Sequence, residues 1–287
     1  MDRKVIIIAT CNKYPNIGQG LALIVNALIA KGHNVKCVPW QHADLQLFCR
    51  AKAILPLCAW DYADNVDGFR HWITVVTEGG GNFINASATL LHNMNKHYLI
   101  DLAEQGFNVV PTRYLEKPTP KQLHCISESE GWPDMVLKPA YGQSGRLVTR
   151  YSSDISKDHE IFCSEHDIVV QPFVEAIKIQ GELALCFIAG EFSHAVRRLP
   201  AKEDWRANSQ YHVTVSQVEL PQSILKQAVC YLSSLEQIPL YARVDGVILN
   251  DDFVLCELEL IEPALFFDRI ENLSNSKFKN FIEQLGQ

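Results

Sequence analysis

Residues 241–263, YARVDGVILNDDFVLCELELIEP, constrain the chain more than any other stretch. Two β-rich runs flank Asn250-Asp251-Asp252, a triplet with turn chemistry, so a hairpin is expected. Read as a three-residue loop with Leu249 opposite Phe253, the triplet sets Asp245 opposite Glu257 and Arg243 opposite Glu259. Strand alternation then projects all four from one face, beside Val247, Leu255 and Ile261. A two-residue loop would set Asp245 opposite Cys256 and loosen the cluster. Directly opposed like charges destabilise a sheet. Three carboxylates on one face therefore ask for a cation, and hard oxygen donors suit Mg²⁺ better than Zn²⁺. The alternative is a solvated face on which Arg243 pairs with one acid.

A chain of 287 residues can bury a sizeable core in one large domain or two. The formal net charge of −7 and the lack of a basic run exclude nucleic acid as the main partner, while a local basic pocket for an anion stays compatible. Nine cysteines form no CxxC pair; Cys37, Cys186 and Cys256 sit in apolar contexts, as buried thiols do, which suits a reducing cytoplasm. The apolar run at 5–9 is shorter than a signal-peptide core and is broken by Thr10-Cys11-Asn12. No stretch is long enough to span a bilayer.

The same run suits a buried parallel strand. An amphipathic helix over 19–31, strands over 35–39 and 53–57 and a helix over 66–76 continue an alternation that implies a small open α/β unit. Ligands of such sheets bind beyond the C-terminal strand ends, which places 10–16 and 58–62 (CAWDY) at a substrate edge, unless Trp60 and Tyr62 are packed aromatics. Asn95 can cap a helix running to Gln105, with Lys96 in its first turn, where the helix dipole disfavours a lone cation and a nearby anion would rationalise it. Residues 117–134 read as a helix or loop between subdomains. A strand over 135–138 then places Lys138 in an apolar run and leads into a loop with Gly142, Ser144 and Gly145, whose small residues let backbone N–H groups approach phosphate. The run at 168–174 is an apolar strand, and Gly181-Glu182 opens another. His194 and Arg198 share a strand face by parity; residues 200–211 suit a mobile lid, and 221–235 an amphipathic helix.

The succession NMNKHYL, VLKPAYGQSG, VVQPFVE, Gly181-Glu182, WRAN, RVDGV and ELELIEP resembles the ATP-grasp superfamily across roughly residues 93–265. CAWDY, GEFSHAVRRLP and ELELIEPALFF are similar to the group containing O-ureido-serine cyclo-ligase, the cycloserine-forming enzyme. The resemblance implies an α/β fold of the α+β ATP-grasp kind. A Rossmann-like pre-ATP-grasp domain at 1–92 would precede an ATP-grasp domain at 93–287, with subdomains at 93–172 and 173–287 and ATP between them. It also implies that Lys96 and Lys138 hold ATP phosphates under the Gly142–Ser144–Gly145 loop, and that Gln171 and the Phe173 backbone meet adenine. Glu182 would take the ribose hydroxyls. Asp245, Glu257 and Glu259 would bind Mg²⁺, and Arg243 and Arg206 would stabilise the transferred phosphoryl group. Many relatives have Asn where Glu259 stands and a glycine pair at Ser209-Gln210; the first change keeps an oxygen ligand, and the second bears on substrate and lid. The activity implied is an ATP-dependent carboxylate–amine ligase that works through an acyl phosphate and releases ADP and phosphate. Alternatives are a cyclo-ligase and a nucleotide-binding protein without ligase activity. The partners are a small-molecule carboxylate and an amine, with neither nucleic acid nor membrane; a homodimer is left open.

Overall fold

The computed structural model describes residues 5–152, 157–271 and 276–286; residues 1–4, ahead of the apolar run, lie outside these. That run becomes β1 (Val5–Thr10), followed by α1 (Gln19–Ala30), β2 (Asn34–Pro39), α2 (Leu45–Cys49), β3 (Ala53–Leu55) and α3 (Val66–Glu78). The strands form a parallel sheet ordered β2-β1-β3. Both faces of β1 are covered, which is why the run is continuously apolar: Ile6 and Ile8 pack with Ile24 and Leu28 of α1, Ile7 and Ala9 with Phe48, Phe69 and Trp72. Cys37, expected to be buried, is exposed on the edge strand β2.

After α4 (Ser87–Asn93), the helix expected over 95–105 is shorter: α5 spans Tyr98–Glu104. Asn95 does act as a cap, its Oδ1 accepting the His97 N–H at 2.9 Å. The turn that follows, however, is closed by bonds from the Leu99 N–H to the Lys96 carbonyl and from the Ile100 N–H to the His97 carbonyl, and the Lys96 N–H donates to the Ala140 carbonyl at 2.8 Å. A second, antiparallel sheet follows from β4 (Arg113–Leu115), α6 (Pro120–Glu130), β5 (Met135–Pro139), β6 (Thr149–Tyr151), α7 (Lys157–Glu165) and β7 (Ile168–Pro172), in the order β4-β7-β5-β6. Helix α6 opens with a Thr119–Gln122 capping box. It belongs to this unit rather than linking units, because Leu123 packs with Met135, Leu137, Tyr151 and Val170.

The third sheet has five antiparallel strands. Helix α8 (Glu175–Gln180) leads into β8 (Glu182–Ile188), β9 (Glu191–Leu199), β10 (Thr214–Val218), α9 (Gln222–Cys230), β11 (Tyr241–Leu249) and β12 (Asp252–Glu259), ordered β10-β9-β8-β11-β12. One face carries Leu183, Leu185, Val244 and Leu255 against α9 and against Tyr98 and Leu99 of α5. The other carries Ala184, Cys186, Val196 and Tyr241, which share a core with β1, α1 and the C-terminal helix α10 (Ser276–Gly286). Two buried asparagines clip this sheet to the first: Asn85 donates to the Tyr241 and Leu260 carbonyls, and Asn93 to that of Leu258. Among the described residues no helix is long and apolar enough to cross a membrane.

Candidate active site

The hairpin does not have the register of a three-residue loop. Asn250 and Asp251 both take positive φ, 51° and 68°, and form a two-residue turn that pairs Leu249 with Asp252. On that register alone Asp245 would face Cys256. A β-bulge between Asp245 and Gly246 absorbs one residue and restores the pairs Asp245–Glu257 and Arg243–Glu259. Gly246 is required there, since a Cβ would lie 2.4 Å from the Val254 carbonyl oxygen. The bulge also separates the expected apolar neighbours: Val247 clusters with Val254 and Cys256, whereas Leu255 packs on the opposite face with Leu185 and Leu258.

Two adjoining clefts open along this hairpin face and share Gln143, Ser144, Arg146, Arg198 and Asn208. The first, about 860 Å³ including its mouth, is lined by Lys96, Lys138, Gly142, Ser144, Gly145, Gln171, Phe173, Glu182, Arg206, Asp245 and Glu257. The second, about 1700 Å³ including its mouth, is lined by Arg243 and Glu259 together with Tyr14, Trp60, Glu262 and Asp268. All of the candidate site residues thus lie on these two walls.

Asp245, 1% exposed, is held by two arginines: Arg243 donates through Nε to Oδ1 and through Nη2 to Oδ2, each at 2.8 Å, and Arg198 donates to Oδ2. Burial opposes its charge, but Arg198 and Arg243 outweigh that and hold the carboxyl below its usual range. Arg198 also donates to Glu182 at 2.8 Å, across the β8–β9 ladder. Arg243 pairs further with Glu259. Burial, reinforced by Asp245 and Glu257 and opposed by Arg243, pushes Glu259 up to about 7. As a divalent-cation site this wall is partly pre-empted, because Arg198, Arg243 and Lys96 already pair with its carboxylates. The donors are hard oxygens, but three of the roughly four acceptor sites of Asp245 are taken by arginine. Among the described residues no three His, Cys, Asp or Glu side chains converge as a ready metal site. Glu257 and Glu259 are the carboxylates able to hold Mg²⁺, which commonly takes one or two carboxylates and completes its shell with phosphate and water.

The two lysines differ. Lys96 is 6% exposed, and its Nζ meets Glu257 at 2.8 Å and the Gly142 carbonyl at 2.5 Å. Burial works against the Glu257 charge, and Lys96 and then Lys138 prevail, holding that carboxyl below its usual range. The Lys138 ammonium has no hydrogen-bond or ion-pair partner among the described residues and opens onto the first cleft. Gln171 is buried and donates to Thr112 Oγ1 at 2.9 Å. The Phe173 N–H is spent on the Asp134 carbonyl at 2.9 Å, which leaves its carbonyl as the backbone group for a base; its ring lies 3.7 Å under the Arg150 guanidinium.

Over the cleft two loops interlock. Gln210 donates to the Ser144 carbonyl at 2.6 Å and the Tyr211 hydroxyl to that of Gly145 at 3.1 Å. Gly145 has φ +67°, and a Cβ there would meet Asn208 Oδ1 at 2.2 Å, so only glycine serves. Arg206 is held by Asp204 through Nε at 3.0 Å and Nη2 at 2.8 Å, and its guanidinium lies 3.6 Å over the Tyr211 ring.

Arg198 and Glu262 were missing from the sequence-derived site. Parity with His194 singled out Arg198, but a basic strand face and a buried arginine give the same pattern; only its partners Glu182 and Asp245 reveal the second. His194 shares the face yet is structural: it is buried, and its Nε2 bonds the Leu265 carbonyl at 2.8 Å. Of the CAWDY aromatics, Trp60 lines the second cleft, whereas Tyr62 stacks on Phe69 in the core.

Residues 107–251 match the family described as prokaryotic glutathione synthetase, ATP-grasp domain, and residues 6–85 the N-terminal domain of D-cycloserine synthetase DcsG. The cycloserine biosynthesis protein DcsG of Streptomyces lavendulae is 27% identical over 114 residues, which span 37% of this chain and 38% of that relative. The crystal structure of D-cycloserine synthetase DcsG superposes with a TM-score of 0.83 at 20% identity, covering 98% of this chain and 99% of that one. D-alanine–D-alanine ligase from Bacillus anthracis superposes with a TM-score of 0.67 at 15% identity, covering 98% and 96%. These superpositions show a shared fold.

Proposed function

The chain belongs to the ATP-grasp family, and on that premise we propose that it is an ATP-dependent carboxylate–amine ligase acting on a small amino-acid-like substrate. The observation that carries this reading is one hairpin face lining both clefts: Glu257 lines the first, and Glu259, two residues along the same strand and on the same face, lines the second with Arg243. A nucleotide in the first cleft and a carboxylate in the second would meet at that wall.

A carboxylate oxygen is a poor leaving group for amide formation. Attack by that oxygen on the γ-phosphorus breaks the bond to the β–γ bridging oxygen and releases ADP, leaving an acyl phosphate. An amine nitrogen then attacks the acyl carbon, loses its proton and expels phosphate. Lys138, whose ammonium has no hydrogen-bond or ion-pair partner among the described residues, would meet the phosphates, and Lys96 and the Gly142–Gly145 loop line the same cleft. Gln171 and the Phe173 carbonyl would meet adenine, and Glu182 the ribose. Mg²⁺ held by Glu257 and Glu259, with Asp245 behind them, would supply charge neutralisation at the β and γ oxygens. Arg243 and Arg206 would face the transferring group; the protein's work is positioning and electrostatics. Two domains, 1–92 and 93–287, with the nucleotide between subdomains 93–172 and 173–287, would organise this chemistry. A cytoplasmic setting is supported by nine cysteines left as free thiols.

Products test the class. With ATP, Mg²⁺, a competent acid and hydroxylamine, the ligase should give hydroxamate and ADP in step. AMP and pyrophosphate would overturn the reading. A second reading, cyclo-ligation of an O-ureido-serine-like amino acid, is favoured by the match at 6–85, because Tyr14 and Trp60 of that region wall the second cleft. It requires one ADP per ring closed and no added amine.

A further inference from the structure

The second cleft carries three carboxylates, and two are already matched. Glu259 pairs with Arg243. Asp268 pairs with Arg269 at 3.1 Å and lies against the first turn of α1, where a Cβ on Gly20 would come within 2.8 Å of its Oδ1. Glu262 has no hydrogen-bond or ion-pair partner among the described residues. Glu262 is half-buried, and its carboxyl is not committed to the protein, so it is available to a cation that enters the cleft.

The surroundings say which cation. Trp60 and Tyr14 wall the same cleft, with ring centroids 6.4 Å apart and planes at 64°. Aromatic rings and a carboxylate lining one cleft suit an organic ammonium better than a bare metal ion, which would demand several oxygen ligands. Burial, and then the charge of Glu259, push the Glu262 carboxyl well above its ordinary range, so a cation that pairs with it would also draw off its proton. Arg243 lines the same cleft, with one of its five guanidinium N–H groups not committed to Asp245, Glu259 or the Ala264 carbonyl. Arg243 Nη1 donates to the Ala264 carbonyl at 3.2 Å, and Ala264 is two residues from Glu262, a chain span of at most about 7 Å. One short wall thus presents a carboxylate and a guanidinium, as a small zwitterion requires.

We propose that Glu262 anchors a non-reacting ammonium of the substrate, so that the second cleft takes an α-amino acid or close analogue with its carboxylate toward Arg243 and its ammonium against Glu262 and the Trp60 ring. The inference rests on the ligase reading for the identity of this cleft as the acceptor site.

The experiment titrates alanine and serine, both enantiomers, and their α-hydroxy counterparts lactate and glycerate, into wild type, Glu262→Gln and Glu262→Asp in the presence of ADP and Mg²⁺. Wild type should bind at least one amino acid about tenfold or more tighter than its hydroxy counterpart. Glu262→Gln should weaken that amino acid about tenfold to a hundredfold while leaving the hydroxy acid and ADP unchanged. Glu262→Asp, which keeps the charge on a shorter arm, should retain part of the preference, and unchanged ADP binding shows that the variants fold. Wild type without a preference, or a preference that survives in Glu262→Gln, overturns the inference. Phosphate release in the same samples with ATP separates the two readings. A preference lost in Glu262→Gln without turnover by wild type keeps the ammonium site and counts against the ligase. Turnover with the preference intact in the variant does the reverse.

Discussion

Asp245 on the β11–β12 hairpin is gripped by Arg198 from another strand, 47 residues away in sequence, and by Arg243 on its own strand. Arg206, on the loop over the same cleft, is gripped by Asp204 two residues away. Asp245 is buried and Arg206 is partly open to solvent. The hairpin charges are therefore placed by register and burial, and a ligand meets them as they stand. The loop charges are placed by local hydrogen bonds that a phosphate can compete with. Substitutions on the hairpin should reach both stability and catalysis, whereas those on the loop should reach rate first.

Arg198→Met tests this contrast most severely. It leaves Asp245 and Glu182 buried with one fewer cation, and breaking a buried pair costs about 3–5 kcal/mol. Urea unfolding should register that loss; an unchanged midpoint would mean that Arg243 alone suffices. Glu257→Gln comes next. It keeps size and one acceptor oxygen but removes one charge from the wall, so Mg²⁺-dependent kcat/KM should fall about 10²–10³-fold. Unfolding free energy should move by only about 1 kcal/mol, since Lys96 keeps the Gly142 carbonyl. Wild-type turnover in that variant would remove Glu257 from the centre of the site.

On the loop, Arg206→Lys should lower kcat about tenfold, the value of one charge-assisted hydrogen bond, with little change in the KM for ATP. A raised KM at unchanged kcat would make Arg206 a ground-state binder. The smallest effect belongs to Asp204→Asn. The Arg206 hydrogen bond, with burial opposing, lowers the Asp204 carboxyl to about 2, against an ordinary value of about 3.9. A depressed acid stabilises the fold above its unfolded value. As pH falls from about 4 toward about 2 the unfolded chain takes up the proton first, and that stability is lost. The Asn variant should lack this part of the acid limb and be about 1 kcal/mol less stable at pH 7, because the loop is partly solvated. Acid-unfolding curves that overlay the wild type would show that the Asp204–Arg206 contact carries no stability.

The site was legible where residue type carried the chemistry. Lys138 in an apolar strand demanded an anion or an exit to solvent, and it opens onto a cleft. The acids opposed across a hairpin demanded cations, and they found Arg198, Arg243 and Lys96. Lys96 lies in the turn ahead of α5 rather than in its first turn, because that turn closes through i→i+3 bonds, and the Ala140 carbonyl that takes its N–H is a partner no local pattern announces. Glu262 stands inside the ELELIEP motif but was given no role of its own, since a glutamate after a strand is ordinarily solvated.

The alternation of apolar and polar residues determined the strands, and the Asn-Asp pair determined a turn, because these depend on neighbours within a few residues. The register of the acids needed more. A two-residue turn alone would have turned Glu257 away, and the bulge that returns it is held by contacts outside the hairpin. The Leu255 N–H donates to the Asn108 carbonyl and the Leu258 N–H to the Tyr98 hydroxyl, each at 2.9 Å, while Asn93 bridges Leu258 and Leu260. Those partners lie up to 167 residues away in sequence. Which backbone groups of an edge strand are satisfied, and so which way its carboxylates face, was decided only when the three sheets packed, since a buried N–H or C=O must find its partner wherever the fold brings one.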